Sequence, residues 1–166
     1  MVPNGSKMES GAILRIAQIM AVALLLALGA AILGAPMAHA AGTVTDCTTY
    51  DGGAGSLKQA LAGGGTITFA CSGTIIVPEI TINANTPTVI DATGQDVTLS
   101  GGNTNRVLVV PNGKSLTLRH ITIANGTVAG YGAGAYIAGG TLIVENSTFA
   151  GNSATGAAGY GGAIYN

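Results

Sequence analysis

The carboxylates are the first candidates for chemistry, because enzymes that cut polysaccharides use paired or clustered Asp and Glu side chains. Asp91 and Asp96 are five residues apart and flank the turn sequence Ala-Thr-Gly-Gln. They can meet across this turn, but an Asp close to a Gly more commonly stabilises the turn itself. Glu79 and Glu145 stand alone in sequence, and we expect both to face solvent. The acids therefore predict neither a catalytic pair nor a metal site.

His120 is the second candidate, because an imidazole can transfer protons near neutral pH. It follows Arg119 between two short apolar runs and has no acid or nucleophile near it in sequence. The serines lack the Gly-x-Ser-x-Gly setting of a hydrolase. The Gly-rich segments 130–134 and 159–162 lack the Lys and the helix of a phosphate-binding loop. We therefore expect His120 at a surface corner, tight corners at both Gly-rich segments, no catalytic residue and no cofactor.

Four tyrosines recur in step, since Tyr131 and Tyr136 precede Tyr160 and Tyr165 by 29 residues. In a stacked repeat, this spacing predicts a ladder of rings along the outer surface. The alternative is an aromatic surface that binds a ligand, because a tyrosine offers an apolar ring and a polar tip. These four residues are the candidate binding residues. The expected partner is a surface carbohydrate or a protein of a host or neighbouring cell.

The tyrosines lie in a segment, 115–166, that contains two passes of one repeat. The apolar residues Leu116, Leu118 and Ile123 correspond to Leu142, Val144 and Phe149, each 26 residues later. The tyrosine spacing is three residues longer, and we place the difference at 155–158, where a turn tolerates insertion. Short β-runs of this period, separated by Gly and Asn turns, indicate a solenoid.

Short runs of alternating apolar and polar residues predict the strands. The predicted strands are 43–46, 66–69, 74–77, 79–83, 88–91, 96–100, 106–110, 115–118, 121–124, 134–137, 141–144, 147–149 and 163–165. A sandwich or barrel also has many short strands, but the period near 26 and the near-absent loop at Arg119-His120 favour three strands per turn. The sequence therefore predicts an all-β fold, a parallel β-helix of about four coils after Gly65.

One helix is predicted in the exported part, at 56–62, where Ser56 is a good N-cap and Gln59 completes a capping box. Leu57, Ala60 and Leu61 share one face of this helix. Two turns of helix are unstable alone. We therefore expect the apolar face to cap the open end of the strand stack, with residues 41–65 forming the N-terminal cap and 66–166 the coils.

The N-terminus carries a targeting segment at 1–40. Lys7 and Arg15 precede the apolar run 16–33, and Ala38-His39-Ala40 has the pattern of a cleavage site before Ala41. A cleaved secretory signal peptide is favoured, and an uncleaved membrane anchor is the alternative. Either way, the rest of the chain is expected outside the cytoplasm, and this segment is its predicted contact with a membrane.

The two cysteines, Cys47 and Cys71, both lie in the exported part. In an oxidising compartment such a pair usually forms a disulfide. Two unpaired buried thiols are the alternative, and a metal site is not expected because no His or further Cys lies near either residue.

The composition excludes two classes of protein. Charged residues make up 8% of the chain and hydrophobic residues 48%, which excludes an intrinsically disordered chain. The net charge of −1 provides no basic surface, so nucleic acid is not an expected partner.

The second repeat stops at Asn166 in mid-pattern. We expect the chain to be the N-terminal piece of a longer protein, because a solenoid that ends in this way exposes its last coil. A short protein that covers this end by self-stacking is the alternative.

The second pass resembles the repeats of the chlamydial polymorphic outer membrane proteins. The resemblance lies in Phe149-Ala150-Gly151-Asn152, followed by Gly161-Gly162-Ala163-Ile164. Those repeats carry a Phe-x-x-Asn and a Gly-Gly-Ala-Ile type of motif. In the first pass Ile123 stands in place of Phe, and Gly134-Ala135-Tyr136-Ile137 is a loose match.

The segment Gly55-Ser56-Leu57-Lys58-Gln59-Ala60 resembles the Cys-Ser-Leu-Arg-Glu-Ala segment near the start of many exported bacterial β-helix proteins. It departs from that segment at Gly55, Lys58 and Gln59. The two resemblances together span about residues 43 to 166. They imply a right-handed parallel β-helix at the cell surface, and the polymorphic outer membrane proteins are surface adhesins.

Two functional hypotheses follow. The favoured one is a non-enzymatic, secreted or cell-surface β-helix that acts as an adhesin, stalk or scaffold, since no reactive cluster is predicted. The alternative is the N-terminal part of a polysaccharide lyase or glycoside hydrolase whose catalytic coils lie beyond Asn166. The sequence leans against an enzyme without deciding the matter.

Overall fold

The computed structural model describes residues 42–166, so the predicted signal segment and its cleavage position at Ala40 and Ala41 lie outside the described residues. Within this range the chain forms one short helix, α1 (Leu57–Leu61), and a succession of short strands. The strands are β1 (Gly42–Val44), β2 (Gly65–Phe69), β3 (Gly73–Ile76), β4 (Ile80–Thr81), β5 (Thr88–Asp91), β6 (Val97–Ser100), β7 (Leu108–Pro111), β8 (Ser115–Arg119), β9 (Ile121–Ala124), β10 (Thr127–Tyr131), β11 (Ala135–Ala138), β12 (Thr141–Glu145), β13 (Thr148–Ala150), β14 (Ser153–Tyr160) and β15 (Ile164–Tyr165).

These strands form four parallel sheets. Sheet A has the order β1-β2-β5-β8-β12, sheet B has β13-β9-β6-β3, sheet C has β15-β11-β7-β4, and β10 pairs with β14 in sheet D. From β2 onward, each turn of chain adds one strand to sheets A, B and C in succession, and β1 adds a fifth level to sheet A, which together form a parallel β-helix of about five turns. The predicted fold is confirmed, with β1 forming the level before the four coils that follow Gly65.

The predicted register of the two passes is also confirmed. Leu142 pairs with Leu116, and Phe149 pairs with Ile123, both at the spacing of 26 residues. Tyr165 pairs with Tyr136 at 29 residues. The repeat in the sequence is therefore the repeat of the coils.

Alternation of side chains places the apolar residues in the interior of the coil. Inward columns such as Ile67, Ile90 and Leu118 are fully buried, and their members are directly paired between neighbouring levels. Each such side chain contributes about 1.5–3 kcal/mol of transfer free energy. The stacked aliphatic columns are thus the main source of stability.

The corner between sheets A and B is a single residue in the coil that contains β8 and β9. His120 occupies this corner with φ of 51°, and Asn146 occupies the same corner one coil later with φ of 48°. The predicted surface corner at His120 is therefore confirmed. A left-handed backbone is unusual for residues other than Gly, and Asn and His are among those that tolerate it best.

Helix α1 forms where the capping pattern predicts it. The Ser56 side chain accepts a hydrogen bond from the Gln59 backbone N–H, as an N-cap does. Gln59 Oε1 accepts from the backbone N–H of Gly55 at 2.9 Å, one residue before the usual capping-box partner. Leu57 and Ala60 are buried in the core, and the helix packs against β1.

Cys47 and Cys71 form the predicted disulfide, with their Cα atoms 5.8 Å apart. It joins the loop after β1 to the segment between β2 and β3. A structural disulfide indicates an oxidising compartment. Among residues 42–166, no helix has the length and apolar character needed to cross a membrane.

The Gly-rich segments contain the predicted tight corners, at Gly132 and Gly161, which have φ of 60° and 62°. The residues before these corners differ from the prediction, because Thr127–Tyr131 and Ser153–Tyr160 form strands β10 and β14, which pair in parallel and are named the arm here. The register changes from Ala129↔Thr155 to Tyr131↔Tyr160, so the three additional residues lie inside β14. Gly and Ala give little strand signal, and the pairing partner decides the conformation.

Candidate functional site

Alternation along sheet C brings two of the candidate tyrosines to its outer face. Ala135 and Ile137 are buried, so Tyr136 between them points outward. The same outward position is Tyr165 in the next coil and Val109 and Thr81 in the two preceding coils. We name these four stacked side chains the sheet C column.

The arm brings the other two tyrosines to the same place. Tyr131 stacks on Tyr165 with ring centroids 4.6 Å apart and on Tyr160 with centroids 6.0 Å apart. The Tyr136 ring lies 5.9 Å from that of Tyr165. The predicted ladder is thus one continuous cluster of four rings, which we name the tyrosine surface.

Exposure differs among the four rings. Tyr160 is 61% exposed and Tyr131 is 37% exposed, while Tyr136 and Tyr165 are half-buried beneath them. The cluster therefore presents the rings of the arm to solvent and rests on the rings of sheet C.

Arg106 holds the arm against sheet C. Its Nε donates to the backbone oxygens of Tyr131 and Gly132 at 3.2 and 3.1 Å, and Nη2 donates to the Tyr131 oxygen at 2.9 Å. Nη1 donates to Glu79 Oε2 at 2.7 Å. The guanidinium carbon lies 5.0 Å from the Tyr136 ring centroid, in cation–π geometry.

Sequence reasoning missed Arg106. The residue precedes Tyr131 by 25 positions, close to one coil, so the period would have placed the two side by side. The role of Arg106 also accounts for the position of Glu79, which we expected to face solvent without a partner. Glu79 is half-exposed and forms an ion pair with Arg106.

Gly132 allows the chain to turn sharply between the arm and sheet C. Its φ is 60°, and a Cβ on this residue would lie 2.4 Å from the Ala135 backbone oxygen. Gly161 makes the equivalent turn one coil later, with φ of 62°. This turn places Tyr131 beside the tyrosines of sheet C, so the glycines position the cluster.

The Phe-x-x-Asn motif, which resembles the polymorphic outer membrane proteins, has a structural role where the chain passes from sheet B into the arm. Asn152 Oδ1 accepts from the backbone N–H of Gly126 at 2.8 Å, and Asn152 Nδ2 donates to the Ile123 oxygen at 2.9 Å. Both partners belong to the preceding coil. The Asn of the Phe-x-x-Asn motif therefore ties consecutive coils together.

The counterpart of Gly161 to Ile164 in the first pass differs from our expectation. Ile164 pairs with Ala135 rather than with Ile137. The structural equivalent is therefore Gly132-Ala133-Gly134-Ala135, two residues before the segment that the sequence suggested. The three-residue insertion in β14 shifts the motif relative to the strands before it.

His120 has partners that are distant in sequence. Its Nδ1 lies 2.8 Å from Thr93 Oγ1, which donates to Asp91 Oδ1, and its Nε2 lies 3.4 Å from Asn146 Nδ2. Thr93 also donates its backbone N–H to Asp91 Oδ1, which confirms the turn-forming role of Asp91. The Thr93 hydroxyl is the largest cause that lowers the Asp91 pKa, and Arg119 and His120 lower it further.

This second cluster is exposed and lies at the corner of sheets A and B. Arg119 pairs in register with Asp91 on one side and with Glu145 on the other, where its Nε donates to Glu145 Oε2. Thr93, His120 and Arg119 therefore each contact a polar side chain of an adjacent coil, an arrangement that stabilises the corner. Among residues 42–166, no group of three or more His, Cys, Asp and Glu residues is placed to hold a metal ion.

Comparisons of the chain with protein-family models, with curated proteins and with solved structures found no match.

Proposed function

We propose that this protein is a secreted or cell-surface β-helix with an adhesive role, and that it binds carbohydrate through the tyrosine surface. The observation that carries the proposal is the convergence of four tyrosines from two coils into one continuous cluster. If the tyrosines only formed two independent ladders, one on the arm and one on sheet C, the fold would not need Arg106 to hold the arm against sheet C.

Carbohydrate suits this surface chemically. A sugar ring has an apolar face of C–H groups and a rim of hydroxyls, and tyrosine pairs an apolar ring with a hydroxyl. Tyr160 has a neighbour at 6.0 Å on one side and is 61% exposed, so a sugar has room to stack on its ring. A protein partner would be favoured by a broad aliphatic patch, but the exposed large aliphatic side chains of the described residues are spread over three sheets: Ile76 on sheet B, Ile143 and Val144 on sheet A, and Ile164 on sheet C.

Two observations support a location outside the cytoplasm. The disulfide between Cys47 and Cys71 indicates an oxidising compartment. The resemblance to the polymorphic outer membrane proteins, which are surface adhesins, suggests attachment at a cell surface, the outer membrane included.

Affinity electrophoresis tests the proposal. The purified protein is run through gels containing dissolved neutral or acidic polysaccharides, and retardation measures binding. We expect at least one polymer to retard the protein, and Tyr160→Ala to reduce the affinity about fivefold through loss of ring stacking. Ile76→Ala is the matched control, since it removes a side chain that is 64% exposed on sheet B. Absence of retardation by every polymer would overturn the proposal.

The same polymers address the alternative of a lyase or hydrolase with catalytic coils beyond Asn166. Release of unsaturated products would indicate a lyase, and release of new reducing ends without unsaturation would indicate a hydrolase. Either result would replace the adhesive role with an enzymatic one.

A further inference from the structure

A groove lies at the opposite end of sheet C from the tyrosine surface. It has a volume of about 480 Å³ and separates α1 from the loop that follows β4. Its walls include Lys58, Leu61, Thr81, Asn83, Asn85 and Thr86. Hydroxyl and amide groups therefore share the lining with apolar side chains such as Leu61, as is common in sites for polar organic ligands.

The groove is continuous with the sheet C column. Thr81 lines the groove and is also the first member of the column, in register with Val109, Tyr136 and Tyr165. Neighbouring strands are about 4.8 Å apart, so three steps from Thr81 to Tyr165 span about 14 Å. An extended ligand can therefore contact both ends of this face.

Side-chain bonds at the groove leave donors for a ligand. Lys114 Nζ donates to Asn85 Oδ1 at 2.8 Å, so the Asn85 amide nitrogen points away from that bond. Lys58 Nζ donates to Asp51 Oδ2 at 2.6 Å and remains more than half exposed. An ammonium group has three N–H donors, so each lysine can still bind an acceptor on the ligand.

The charges are divided between the faces. Residues 42–166 hold four cations and six acids, a net charge of −2. Three of the cations, Lys58, Arg106 and Lys114, border sheet C, where Asp51 and Glu79 pair with two of them, for a net charge of +1. The remaining residues therefore carry −3, and the field favours an anion at sheet C.

We infer that the ligand of the proposed adhesive function is an acidic, extended oligosaccharide that lies along the outer face of sheet C. Its sugar rings stack on the tyrosine surface, and a carboxylate at the other end binds Lys58 and Lys114 beside the groove. This inference rests on the proposed function, because it names the ligand class and extends the site beyond the tyrosines.

Isothermal titration with galacturonate oligomers tests the inference. The probes are a hexamer, a dimer and the methyl-esterified hexamer, which keeps the shape and loses the charge. The variants are Tyr165→Ala and Lys58→Gln, with Arg119→Gln as the matched control. Arg119 is an exposed cation in an ion pair, like Lys58, but lies on sheet A.

We expect Lys58→Gln to weaken hexamer binding about tenfold, the size of one charged contact, and Tyr165→Ala to weaken it about fivefold through loss of ring stacking. The dimer is too short to reach both the tyrosine surface and the lysines beside the groove, so one of the two substitutions should leave the affinity for the dimer unchanged. Arg119→Gln should bind both oligomers as the wild type does, and the ester should bind more weakly than the acid.

Two results would overturn the inference and leave the proposed function standing. One is a loss of hexamer affinity in Tyr165→Ala with none in Lys58→Gln, which would confine the ligand to the tyrosines. The other is equal affinity for acid and ester, which would remove the acidic class. Failure of every neutral and acidic polymer to bind would instead overturn the proposed function itself.

Discussion

Replacement of Asn152 by Ala should destabilise the protein, because one amide side chain satisfies two backbone groups of the preceding coil. These are the N–H of Gly126 and the C=O of Ile123, and both residues are buried. The methyl side chain of alanine can replace neither bond.

The size of the effect follows from those two bonds. Each hydrogen bond contributes about 0.5–1.5 kcal/mol net, and each buried group left without a partner costs about 1–3 kcal/mol. Asn152 is half-buried, so water can partly satisfy the two backbone groups after the substitution. We therefore expect the free energy of unfolding to fall by about 2–4 kcal/mol.

Urea unfolding followed by circular dichroism measures this loss, with the midpoint shifting and the slope unchanged. Asn83→Ala is the control, since Asn83 is exposed and its side chain forms no hydrogen bond within residues 42–166. A loss in Asn152→Ala below about 0.5 kcal/mol, the range of ordinary surface changes, would refute a structural role for the motif.

Three further predictions concern stability. Serine at both Cys47 and Cys71 opens a loop with a sequence separation of 24, and should cost about 3 kcal/mol in urea unfolding without reductant; an unchanged midpoint would contradict it. Thr88→Val should gain about 1 kcal/mol, because the Thr88 hydroxyl is buried without a partner among the described residues; a loss would contradict this. Hydrogen bonds from Thr48, then Thr49, lower the Asp46 pKa to about 2, below its unfolded value, so this stabilisation is full above about pH 4 and is lost towards pH 2. Asp46→Asn should flatten that acid dependence in a series of unfolding curves, and an unaltered pH profile would be inconsistent with it.

The parts of the fold that repeat were predictable from sequence. Leu116 and Leu142 share one environment in consecutive coils, so the spacing between them is the length of a coil. The disulfide and the corner at His120 followed from residue type and position, because each depends on features within or beside one short segment.

The parts of the fold that depend on contacts between neighbouring coils were not predicted from the sequence. The arm consists largely of Gly and Ala, whose strand conformation depends on pairing between β10 and β14. Arg106 and Tyr131 are a coil apart, and Thr93 and His120 likewise become neighbours through stacking. Pairing each polar residue with the residue about one coil later would have found both contacts.

The central claim is that the tyrosine surface binds a sugar polymer, and intrinsic fluorescence tests it most directly. The chain has five tyrosines and no tryptophan, and four of the five lie in this surface, so the emission reports on the site itself. Titration with the galacturonate hexamer should produce a saturable change in emission that Tyr160→Ala weakens and Ile76→Ala does not. If neither the hexamer nor any other polymer changes the emission of the wild-type protein, the account is contradicted.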